Sequence, residues 1–172
     1  HRKKYRIRVY NFDASYVKLE RKTKLGQYIN KECTTLSRDD IERIMAGSIS
    51  FLAGSKNPFL RQFYTDCRCE LPRPVVIVDY YREAYTHPIS NVRITFDTDL
   101  RTSIGTGSFF HRTPCPIRVI DAPSTILEVK FNDVFPQCIR GLFPDTIRPR
   151  SSIGKFVLCR VQQMQHIGDL TN

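Results

Sequence analysis

Arg6 and Arg8 stand two residues apart in the run Lys-Lys-Tyr-Arg-Ile-Arg-Val-Tyr at residues 3–10. On a strand, alternate side chains share a face. Lys4, Arg6, Arg8 and Tyr10 would then line one side, with Tyr5, Ile7 and Val9 on the other. Guanidinium and ammonium groups arrayed this way hold anions, Arg through paired hydrogen bonds and Lys as a point charge. For one strand alone, a charged side that only meets water is an equal alternative.

Later stretches repeat the pattern. Lys18, Glu20, Lys22 and Lys24 alternate with Val17, Leu19, Arg21 and Thr23, and Lys31 is in phase with Ile29 and Cys33. Arg93, Thr95 and Asp97 alternate with Val92, Ile94 and Phe96, and Ile126, Glu128 and Lys130 with Leu127, Val129 and Phe131. Residues i and i+2 on a strand lie about 6.7 Å apart. Two cations at that distance repel by about 2.5 kcal/mol at an effective dielectric near 20. Stacked cations of this kind call for a polyanion, and a string of phosphates supplies charge and acceptor oxygens together. An open groove for single-stranded nucleic acid would satisfy the same charges. Glu20 and Glu128 sit among these cations. Either they neutralise the neighbouring Lys22 and Lys130, or they hold a divalent metal that bridges phosphate oxygens.

The whole chain has the matching bias. Its 172 residues carry 27 Lys and Arg against 17 Asp and Glu, a net charge of +10 that points to anionic partners. Hydrophobic residues make up 41%, which excludes a disordered chain. No apolar run approaches the ~18 residues of a membrane span. Of the six cysteines only Cys67 and Cys69 are close, which is no zinc motif. Reduced thiols and a cytoplasmic location are expected.

The positioning elements follow from turns and caps. Asn11-Phe12-Asp13 and Gly26 separate three strands, at 3–10, 17–24 and 28–33. Ser37 caps a helix with Ile41, Ile44 and Met45 on one side, and a second helix runs from about Asn57 to Cys67 on Phe59, Leu60, Phe63 and Tyr64. The apolar run at 75–78 predicts a doubly buried strand over residues 75–82, with Arg82 emerging at its end. Strands at 91–100, 117–120 and 126–131 follow, then a short helix opened by Pro136. A last helix is expected from Ser151 to about Met164, capped by Ser151 or Ser152, with Ile153, Phe156, Val157, Arg160 and Val161 at helical spacing and Lys155 in its first turn. The expected fold is α+β and antiparallel, in one domain. Closing the sheet into a β-barrel would place the charged faces on the lumen.

Tyr5-Arg6-Ile7-Arg8-Val9-Tyr10-Asn11, Leu19-Glu20-Arg21-Lys22, Arg93-Ile94-Thr95-Phe96-Asp97, Leu127-Glu128-Val129-Lys130 and Lys155-Phe156-Val157-Leu158 occur in this order. In that order and spacing they resemble the VTC domain, the polyphosphate polymerase domain within the triphosphate tunnel metalloenzyme (CYTH-like) superfamily. The resemblance covers residues 3–165, leaving 166–172 as a tail. It implies an antiparallel β-barrel tunnel with flanking helices that adds the γ-phosphate of ATP to inorganic polyphosphate, with Mn2+ or Mg2+. Carried over by motif, Arg6, Arg8, Lys22, Arg93, Lys130 and Lys155 would serve catalysis. Lys18, Lys31 and Arg82 would join them in gripping phosphate, and Glu128 with Glu20 would hold the metal. Nucleic acid is not an expected partner. Family members carry further barrel strands before the Arg-x-Arg strand, so an incomplete wall is expected here. Gly154-Lys155-Phe156 stands where the family has Ser-Lys-Tyr. A triphosphatase of the same superfamily and a non-catalytic polyphosphate-binding module are the alternatives.

Overall fold

The opening alternation becomes β1 (Arg2–Tyr10), which forms an antiparallel meander with β2 (Asp13–Leu25) and β3 (Tyr28–Leu36). The computed structural model describes residues 2–26, 28–107, 109–111, 113–143 and 152–170. The chain divides into two units, His1–Pro74 with Phe110–Arg112, and Val75–Phe109 with Thr113–Asn172.

In the first unit, β2 starts at Asp13, four residues before the expected Val17. Asn11 and Phe12 both take positive φ, 51° and 55°, and Tyr10 pairs with Asp13. That is a two-residue primed turn, tight enough to return the chain at once. The Tyr5, Leu19 and Arg21 side of the sheet meets α1 (Arg38–Met45) and α2 (Pro58–Glu70). Ser37 caps α1 by accepting from the Asp40 N–H, as expected. Asn57 caps α2 by accepting from the Phe59 N–H, and its amide donates to Thr34 Oγ1 at 3.0 Å, which ties α2 to β3. Val17, Leu19, Ile41, Leu52, Phe59, Leu60 and Phe63 are buried there. Burying each such side chain contributes roughly 1.5–3 kcal/mol.

In the second unit, β5 (Val92–Thr102) is central. It pairs with β4 (Asp79–His87) along one edge, and with β6 (Ile117–Arg118) and β7 (Thr125–Lys130) along the other. Residues 75–78, expected as the start of a strand, lie outside the ladder. The pairing ends where Asp79 meets Arg101, because β5 stops one residue later. The apolar run still packs: Val76 and Val78 lie against a core of Leu100, Ile126 and Cys159, and the Ile77 carbonyl accepts from Thr102 Oγ1 at 2.8 Å. Asp99 bulges from β5 with φ 50°. Its carboxylate meets Arg101 at 2.7 Å and Arg118 at 3.1 Å.

Gln137–Arg140 forms the short α3 and Lys155–Leu170 forms α4. Of the two expected caps, Ser151 lies outside the described residues, and Ser152 stands three residues before the first helical residue and does not cap it. Two corrections concern α4. It continues past His166 into the expected tail, and its apolar stripe is not its buried side. Val157 and Val161 are exposed, while Cys159 and Gln163 are buried. The cause is polar. Lys155 Nζ sits 2.6 Å from Asp97 Oδ2 on β5, so the residues four and eight positions on follow it onto the sheet. The Gln163 amide donates to the Ser103 carbonyl.

The protein is therefore mixed α+β with antiparallel sheets. Among the described residues the strands form two sheets and no closed barrel.

Candidate functional site

In each unit the charged rows read from the sequence fall on one face of the sheet. In the first, the pairing sets residues in rows across β1, β2 and β3: Arg8, Lys18 and Thr35; Arg6, Glu20 and Cys33; Lys4, Lys22 and Lys31. Directly opposed side chains share a face, so the alternation read strand by strand is one surface. Arg6 donates to Glu20 Oε2 through Nε at 3.0 Å and Nη2 at 2.5 Å, and Arg8 Nη1 stands 3.7 Å from Glu20 Oε1. Arg8 also donates to the Tyr10 hydroxyl at 2.8 Å, and Lys18 lies over the Tyr16 ring. Burial would raise the Glu20 carboxyl, but Arg6, Arg8 and Lys31 outweigh it and hold it below its ordinary value. Glu20 thus neutralises the arginines beside it and not Lys22. Lys22 and Lys31 oppose one another, and among the described residues neither forms a salt bridge, although the charge of Lys31 reaches Glu20.

In the second unit the rows cross β4, β5 and β7: Thr86, Arg93 and Lys130; Ala84, Thr95 and Glu128; Arg82, Asp97 and Ile126. Glu128 meets Lys130 at 2.9 Å and Arg82 at 3.9 Å. Burial opposes its charge, yet Lys130, Lys155 and Arg82 hold its carboxyl below the ordinary value. Arg93 is exposed and has no acid partner among the described residues. The fold thus brings Arg82, Arg93, Glu128, Lys130 and Lys155 together, with Lys155 reaching in from the start of α4. Arg6, Arg8, Lys18, Glu20, Lys22 and Lys31 gather on the first unit's own face.

The sequence reading gave Asp97 no role, although it fell on the charged side of its strand. Its side chain is wholly buried, with Arg82 donating through Nε at 2.5 Å and Nη2 at 2.6 Å and Lys155 on the second oxygen. Burial would raise its carboxyl, but the two cations hold it below the ordinary value. The available signal was its residue type, since aspartate is depleted in strands. Thr95 is the other unexpected feature. It is 2% exposed, and its Oγ1 has no hydrogen-bond partner among the described residues.

Neighbouring cations hold the carboxyls of Glu20 and Glu128 below their ordinary values, which favours the carboxylate form that a metal would need. Among the described residues no three His, Cys, Asp or Glu side chains cluster to hold a metal. One carboxylate on a cationic face fits a hard divalent cation that takes its other ligands from phosphate oxygens and water. The described cysteines are free thiols, and no described helix is long and apolar enough to cross a membrane. A hollow of about 430 Å³ among Lys3, Arg21, Tyr28 and Glu32 lies on the opposite side of the first sheet.

The family model described as the VTC domain matches residues 1–162. No curated protein and no solved structure matches the chain.

Proposed function

Because this chain belongs to the VTC domain family, we propose that it acts on inorganic polyphosphate as an ATP-dependent polymerase. The observation that supports this reading is the pairing of like charges: Arg93 opposite Lys130, and Lys22 opposite Lys31. Like charges directly across a sheet destabilise it, and a polyanion laid over them reverses the sign.

In this reading a terminal oxygen of the polyphosphate attacks the γ-phosphorus of ATP. The bond to the β,γ-bridging oxygen breaks, and ADP leaves with that oxygen. Such transfers need positioning and charge neutralisation more than covalent help. Arg93, Lys130 and Lys155 would hold the transferring phosphate and its neighbours. Arg6, Arg8, Lys18, Lys22 and Lys31 would hold chain phosphates. Arg82 would contribute mainly by holding Asp97, with its remaining N–H groups turned to the ligand. Glu128, and on the other face Glu20, would bind Mn2+ or Mg2+, which when bound neutralises phosphate charge. A closed tunnel wall belongs to this reading too.

Incubation with ATP and Mn2+ should yield polyphosphate and ADP, and Glu128→Gln and Lys155→Ala should abolish both. Orthophosphate without polymer would identify a triphosphatase. Tight polyphosphate binding that survives Glu128→Gln without turnover would identify a binding module. Preference for single-stranded nucleic acid over polyphosphate would overturn the reading.

A further inference from the structure

We propose that Thr95 is a ligand-binding residue of the second unit's face, its hydroxyl donating a hydrogen bond to a phosphoryl oxygen of a condensed phosphate. The inference rests on the reading of that face as a polyphosphate site.

Thr95 lies at the centre of β5, the middle strand, with Ala84 opposite on β4 and Glu128 opposite on β7. Its Oγ1 is buried and has no hydrogen-bond partner among the described residues. A buried hydroxyl left unpaired costs stability, and native structures keep few of them. The neighbours explain why it stays unpaired. Ala84 carries no polar group, and Glu128 is held by Lys130 at 2.9 Å. Valine has almost the same shape and favours strands at least as well, so packing alone gives no reason for a hydroxyl here. Among the described residues, the other buried side-chain oxygen without a hydrogen bond, Asp99 Oδ1, differs in having Arg118 at 3.1 Å.

The surroundings fix the class of partner. Arg82, Arg93, Lys130 and Lys155 face two carboxylates, Asp97 and Glu128, so the face carries surplus positive charge. A ligand that settles there is an anion. An anion offers acceptor oxygens only, so the hydroxyl must be the donor. Flanked along β5 by Arg93 and Asp97, Thr95 marks the floor of the site between the exposed cation and the buried ion pair.

The test uses this chain and inorganic tripolyphosphate, with affinity measured calorimetrically and the melting temperature of the ligand-free protein measured in parallel. Thr95→Val should weaken binding about tenfold, in line with a lost hydrogen bond to a charged group. It should leave the ligand-free melting temperature equal or higher, and Thr95→Ser should retain wild-type affinity. Thr95→Ala gives a second variant without the hydroxyl. Thr95→Val binding like wild type while Arg93→Ala binds weakly would overturn the inference and leave the polyphosphate reading standing. A lower ligand-free melting temperature in Thr95→Val would also overturn it, by exposing a structural partner. Wild-type protein that does not bind tripolyphosphate would overturn the functional reading itself.

Discussion

Asp97 holds Lys155 at 2.6 Å while its two oxygens also receive two N–H groups from Arg82. One buried carboxylate therefore joins the edge strand, the central strand and the last helix. Removing one partner of a buried pair leaves charge uncompensated, at a cost of about 3–5 kcal/mol. Asp97→Asn should lower the urea midpoint of the second unit accordingly. A loss of unfolding free energy below about 1 kcal/mol, the size of an exposed pair, would show that this carboxylate does not anchor α4.

The same carboxylate sets a pH dependence. Folding lowers the carboxyls of Asp97, Glu128 and Glu20. A lowered carboxyl adds stability above its unfolded value, about 4 for these types, and that stability is lost as pH falls through the folded value. Urea midpoints should be flat from pH 7 to about 5 and fall below about 4. Asp97→Asn should show a shallower acid limb. An unchanged limb would place the acid sensitivity in other carboxylates.

Lys22 opposes Lys31 across β2 and β3. Lys22→Ala should leave the ligand-free protein as stable or slightly more so, by less than about 1 kcal/mol. It should weaken polyphosphate binding and reduce its salt dependence. A charged side that only meets water would show the first effect without the second, as titrations at two salt concentrations would reveal.

Leu71 ends α2 with φ 48°, a left-handed conformation that suits glycine, and its side chain is exposed. Leu71→Gly should stabilise the first unit by about 1 kcal/mol, since it relieves backbone strain and loses little packing. Equal or lower stability by thermal melting would contradict that account.

Much of both charged faces was legible because strand alternation has a period of two and the strands are long. Lys4, Arg6 and Arg8 fall on the same side as Glu20 and Lys22 once any one pair is aligned, and the register aligns them. Residues 75–78 misled because an apolar run reports burial and not pairing: Val76, Ile77 and Val78 are packed while Val75 is exposed, and β5 ends before it could pair with them. The turn at Asn11-Phe12-Asp13 was legible, but its primed geometry was not, since a bulky residue such as Phe12 rarely takes positive φ, and the bulge at Asp99 leaves no mark in the strand alternation. The role of Asp97 was hidden for another reason. Its partners, Arg82 and Lys155, lie 15 and 58 positions away, and only tertiary structure joins them.

The way α4 is seated has a consequence for how freely its sequence can drift. Its rotation is indexed by one cation in the first turn, Lys155, and not by a hydrophobic seam. Val157, Val161 and Met164 are exposed and do not set that rotation. Polar substitutions there should stay within about 0.5 kcal/mol. Cys159, with no exposed surface, admits no such latitude. Inserting one residue between Lys155 and Cys159 would turn the rest of the helix by about 100° and send Gln163 away from the sheet. The helix can change most of its surface chemistry, but it cannot change its count.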